Sequence, residues 1–106
     1  MAIVRINSGI CGFTSSVQAK MDGEVCRLTI ESSCPHIQKL SEALNEVEPY
    51  KEISARRSQP KTFELAARIC PHAACPVPVG VIKAVEVAAG LALPADVSIE
   101  VSKGEG

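Results

Sequence analysis

The chain is predicted to be an α+β protein: a two-layer sandwich with an antiparallel sheet in the order β-β-β-α-α-α-β and its helices on one face. Three observations predict this. Around an Asp-Gly turn near the start, apolar and polar residues alternate with the period of a half-buried strand. Through the middle, apolar residues recur at helical spacing. Near the end the alternation returns in Val97, Ile99 and Val101. Strands first, then helices, with a returning strand, is the order of a layered α+β fold rather than of a parallel βαβ sheet. No Gly-rich phosphate loop joins a strand to a helix, so nucleotide-fold readings have little support.

Residues 2–6, "AIVRI", form the first predicted strand, and the two glycines of "SGICG" mark the loop after it. Phe13, Ser15, Val17, Ala19 and Met21 then alternate with polar neighbours up to Asp22-Gly23, a strong two-residue hairpin signal. Beyond the turn Cys26, Leu28 and Ile30 continue the pattern. Pairing Met21 with Glu24 sets Ala19 opposite Cys26, Val17 opposite Leu28 and Ser15 opposite Ile30, all on one face. In "CPHIQKLSEALNEV", Ile37, Leu40, Leu44 and Val47 lie on one side of a helix over 35–47. Pro35 suits the first helical position, which makes Cys34 the N-cap. The polar, proline-bounded segment 49–61 reads as an exposed loop. Its Lys51, Arg56, Arg57 and Lys61 read as solvated charge rather than as a docking patch. A short helix follows over 62–69, then a buried one over 79–89 whose face holds Val81, Ile82, Val85, Ala88 and Ala89. Gly90 closes that helix from the C′ position. The last predicted element is the strand over 97–101.

A length of 106 residues fits one domain, residues 1–106. Apolar residues at 46% and charged ones at 22% are those of a globular chain. With Phe13, Phe63 and Tyr50 the only aromatics, the core must be aliphatic. A net charge of −1 and so few rings give no support to nucleic-acid binding. The N-terminal residues lack the basic start and apolar run of a signal peptide, and no apolar run approaches a membrane span. The expectation is a cytoplasmic protein with no membrane partner.

Chemistry is concentrated in five cysteines. An odd count without an export signal turns the expectation away from disulfides. Cys26, mid-strand on the apolar face, is expected to pack as a small core residue. Cys11, Cys34, Cys70 and Cys75 all fall in loops or at element ends, where ligands can adjust and backbone amides can bond to sulfur. The same hairpin pairing, carried on to 13 opposite 32, brings Cys11 and Cys34 to one end of the sheet. These four are the expected ligands of zinc or an iron–sulfur cluster. His36 and His72, each two residues past a cysteine, are additional candidates. The spacing is not a zinc signature: only Cys70 and Cys75 lie close, as C-x4-C. Cys-Pro occurs three times, a dipeptide also seen at ferredoxin-type clusters, without the full ferredoxin spacing. Two alternatives remain open. One is a thiol-redox protein with Cys34 or Cys70 as nucleophile and Cys75 resolving; the other is a metal-free module with structural cysteines that binds some protein partner. No catalytic residue is assigned, since no carboxylate pair or Ser-His-Asp arrangement is placed together.

The segments "SGICGFTS", "ESSCPHI", "RICPHAACPVPVGVIKAVEVAAGLALP" and "VSIEVSK" together resemble a small family of uncharacterised proteins from anaerobic bacteria and archaea. The resemblance spans nearly the whole chain. It implies a cytoplasmic setting in which oxygen-sensitive thiol or cluster chemistry can operate, and it implies no particular activity.

Overall fold

The computed structural model describes residues 1–54 and 60–104. Among these residues β1 (Ala2–Asn7), β2 (Thr14–Asp22) and β3 (Val25–Ser32) form an antiparallel meander, with a two-residue strand β4 (Glu46–Val47) on the far edge. Four helices accompany the sheet: α1 (Pro35–Ala43), α2 (Pro49–Ser54), α3 (Lys61–Ile69) and α4 (Val77–Ala88). The α+β class and the antiparallel sheet are as expected. The fourth strand is not, because it comes between the first two helices rather than at 97–101.

Along β2, Ser15, Val17 and Ala19 are buried while Thr14, Gln18 and Lys20 are exposed, so the helices cover one face only. The hairpin register differs from the expected one by a turn displaced one residue. Asp22 pairs with Val25, Met21 with Cys26, Ala19 with Leu28, Val17 with Ile30 and Ser15 with Ser32. The connecting residues are therefore Gly23 and Glu24, with positive φ at Gly23 alone (64°). That pattern is a II′ turn with glycine first, not the I′ turn expected of Asp-Gly. A shift of this kind moves every partner by two and leaves each side chain on its face, so the apolar pattern cannot distinguish the two registers.

α1 ends at Ala43, short of the expected 47. Leu44 leaves helical geometry (φ −112°, ψ 87°), and the Asn45 carbonyl accepts the Leu28 N–H at 2.9 Å. Val47 then pairs with Cys26. A β-branched residue two before a proline favours extended backbone, and Val47 reaches the core from the strand as readily as from a helix.

Part of the expected loop over 49–61 is helical, as α2; Arg56 and Arg57 of its basic group lie outside the described residues. Glu52 of α2 is buried and clamps the start of α3. The Lys61 N–H donates to Glu52 Oε1 at 2.8 Å. The Thr62 N–H and hydroxyl donate to Oε2 at 3.1 and 2.8 Å. The N-cap of α3 is Pro60, which offers no side-chain acceptor, so a carboxylate from the preceding helix satisfies these amides.

α4 lies across β1 and β2. Its buried face includes Val77, Gly80, Val81, Ala84 and Val85, against Val17 and Ala19 of the sheet. It ends in a Schellman turn. The Leu91 N–H reaches Glu86 O at 2.9 Å and the Gly90 N–H reaches Val87 O at 3.1 Å, with Gly90 at φ 74°. The residues after this turn correct the last expectation: Val97, Ile99 and Val101 belong to no strand and are 62, 78 and 90% exposed.

Candidate thiol site

All five cysteines are free thiols. Cys26 is fully buried in the core, as expected, and burial pushes its thiol pKa above the ordinary value, partly offset by the Lys20 backbone. Its role is packing.

The other cysteines divide unequally. Cys34 is the N-cap of α1, as expected, but its sulfur makes no capping bond. The Cys34 N–H donates instead to the Ser32 hydroxyl at 3.0 Å, and Gln38 Nε2 donates to Ser32 O at 2.9 Å, which fixes the entry into the helix. Cys70 is the C-cap of α3, its N–H bonded to Ala66 O at 2.8 Å. Cys75 sits one residue before Pro76, the N-cap of α4, in a turn closed by its N–H to His72 O at 3.2 Å. These three are half-buried and pack against the same hydrophobic core. They also act on one another. The Cys70 thiol is pushed up first by burial, then by the Cys75 thiol, then by Cys34. Ionising Cys70 is disfavoured by its burial and by the two neighbouring thiols, as for like charges in a partly desolvated place.

Cys11 does not share this environment. It is exposed, on the β1–β2 loop, beside the fully exposed Ile10. The loop is shaped by the Gly12 N–H to Gly9 O bond at 2.9 Å and by the Gly9 N–H to Asn7 Oδ1 bond at 3.0 Å. It stands at the same end of the sheet as Cys34, since the Ser33 N–H donates to Thr14 O at 3.2 Å. His36 and His72 are both exposed. Among the described residues no three His, Cys, Asp or Glu side chains stand close enough to hold a metal ion as they are. The chemistry of the donor set nonetheless suits a soft cation, because thiolate is a preferred ligand of such ions and positive charge would relieve Cys70, which resists ionising.

The Glu52–Thr62 clamp is the polar arrangement that sequence reasoning missed. Two hydrophilic residues ten apart in a polar segment carry no periodic signal, and they meet only because the start of α3 lies against α2.

Fold and site together define a class: a small α+β protein with one covered sheet face and half-buried free thiols gathered at helix ends. The chain belongs to DUF6951, a family of unknown function, whose pattern matches residues 2–101. No curated protein and no solved structure matches it. Among the described residues no helix is long and apolar enough to cross a membrane.

Proposed function

We propose that the chain is a thiolate metal-binding protein, with Cys34, Cys70 and Cys75 as the centre of a ligand set for zinc or an iron–sulfur cluster. One observation carries this: three thiols from separate elements share a half-buried place on one core, near enough for Cys34 and Cys75 to raise Cys70. A bound cation supplies the positive charge that lets Cys70 ionise, reversing the direction in which burial and its two neighbouring thiols push it. The fourth position falls to Cys11, His72 or His36, each exposed and able to turn inward only with local movement of the β1–β2 loop, the turn before α4 or the first turn of α1. The free thiols and the expected anaerobic, cytoplasmic setting suit such a site, since reduced cysteines are required.

The test is metal content. Protein purified without oxygen should carry about one zinc, or iron with a visible absorption band. Replacing Cys34, Cys70 or Cys75 by Ser should abolish it, while Cys26→Ala should not. Absence of metal, together with a melting temperature that zinc and iron leave unchanged, overturns the proposal. A thiol-redox reading draws on Cys34, half-buried at the N-cap of a nine-residue helix. A metal-free protein in which mild oxidation links Cys34 or Cys70 to Cys75 would establish that reading instead. Five unreactive thiols would leave a structural module.

A further inference from the structure

β1 is an edge strand. In its ladder the Ser8 N–H donates to Phe13 O at 3.1 Å, in line with the register that pairs Ile6 with Ser15 and Val4 with Val17. Hydrogen-bonded pairs alternate along an antiparallel ladder, so Ala2, Val4, Ile6 and Ser8 bond to β2. The N–H and C=O groups of Ile3, Arg5 and Asn7 therefore point outward, at an edge that no strand covers among the described residues. On the helix side of that edge Val4 and Ile6 are only partly buried. Such an edge is a template for another strand.

The chain also carries an unused strand. Val97, Ile99 and Val101 alternate with Ser98, Glu100 and Ser102, and none of these side chains is buried. Beyond Ala92, whose N–H reaches Glu86 O at 3.3 Å, the backbone makes no further bond within the chain among the described residues. The described residues span 52 Å in one direction against 28 and 24 Å in the others. The longest strand has nine residues, about 30 Å, so the sheet alone does not account for the long dimension.

We propose that residues 97–101 of one copy pair with the free edge of β1 in a second copy, each tail completing the other's sheet in a symmetric dimer. An antiparallel register with Glu100 opposite Arg5 satisfies every position. Val101 and Ile99 fall beside Val4 and Ile6 on the helix face, Ser102 and Ser98 beside Ile3 and Asn7 on the open face, and the central pair is oppositely charged. The outward groups of Ile3, Arg5 and Asn7 meet those of Ser102, Glu100 and Ser98. A second copy is the occupant because Glu100 complements Arg5 in charge, residues 97–101 have no backbone partner among the described residues of their own chain, and reciprocal exchange closes both edges at once.

The test is the mass of the full chain by sedimentation over a range of concentrations, with amide exchange at Ile3, Arg5 and Asn7. A reversible dimer with these amides protected is expected. Glu100→Pro removes the N–H that meets Arg5 and should weaken the dimer about a hundredfold, exposing those amides while leaving the far-ultraviolet spectrum unchanged. Arg5→Glu and Glu100→Arg should each weaken it roughly tenfold, and together restore it to within about threefold. A monomer at all concentrations overturns the proposal, as does a dimer unaffected by Glu100→Pro. A monomer with protected β1 amides does so too, because the tail then lies on its own edge. None of these outcomes depends on metal content.

Discussion

Two buried residues carry most of the polar risk in this core, and they behave oppositely. Glu52 is buried as an acceptor and fully used by Lys61 and Thr62. Replacing it with Ala would strand two amides and a hydroxyl, at a cost of about 2–3 kcal/mol in urea unfolding. Thr62→Val removes one bond of the three and should cost about 1 kcal/mol. A Glu52→Ala protein as stable as the parent would show that water replaces the carboxylate and that the clamp contributes nothing. Cys26 is buried as a neutral thiol, held protonated by desolvation. Because its folded pKa is raised, its contribution is fully present below the ordinary thiol value of about 8.5 and is lost as pH rises through the raised value. In metal-free protein Cys70 is raised in the same direction and adds to the loss. The urea midpoint should therefore hold level up to about pH 8.5 and fall above it. In Cys26→Ala the fall should be shallower; an equal fall in that variant would assign the effect elsewhere.

Elements were legible where a pattern was long and illegible where it was short. The β2–β3 hairpin, α3 and α4 with its Gly90 stop were all readable from periodicity and turn residues. The turn itself was not, because Asp22-Gly23 and Gly23-Glu24 preserve the same faces and differ only in which residue needs positive φ. Gly23→Ala should cost about 1 kcal/mol, since an alanine at φ 64° is strained, whereas Glu24→Ala should be nearly neutral. A Gly23→Ala protein as stable as the parent would mean that the turn does not need positive φ at this position. β4 escaped notice because two residues are too few to alternate, and Val47 fits the helical spacing of α1 by coincidence. Packing of α4 on β1 depends on Gly80 in a way no periodicity reveals. A Cβ there would collide with Ile6 Cδ1, come within 2.9 Å of Ile6 Cγ1 and touch Val4 Cγ1 at 3.5 Å. Gly80→Ala should destabilise by about 1–3 kcal/mol, more than its better helix propensity returns. Shortening the partner in Gly80→Ala/Ile6→Val should recover part of that loss; a single variant as stable as the parent would mean that Ile6 swings aside freely.

At the scale of the molecule the site was half legible. Helix-end positions for Cys34, Cys70 and Cys75 followed from proline and turn signals, and the fold gathers these three. Cys11 was placed with them by a sheet end, yet a shared end fixes only the neighbourhood of a loop, and glycines at φ 86° and 76° leave this thiol in solvent. The alternation of the tail was also legible, but alternation names a face that can be buried without naming what buries it. The same one-sidedness governs stability. Val17 and Gln18 are neighbours at the middle of the central strand, one fully buried under the helices and the other facing solvent. A sandwich with two layers makes one face of the sheet structural and the other replaceable. Val17→Ala opens a gap between β2 and α4 and should cost about 2–3 kcal/mol. Gln18→Ala and Thr29→Ala, cross-strand partners on the open face, should each stay within about 0.5 kcal/mol. Were Gln18→Ala and Thr29→Ala as costly as Val17→Ala, a third layer would have to cover that face in solution, and the sheet could not be the boundary of the molecule.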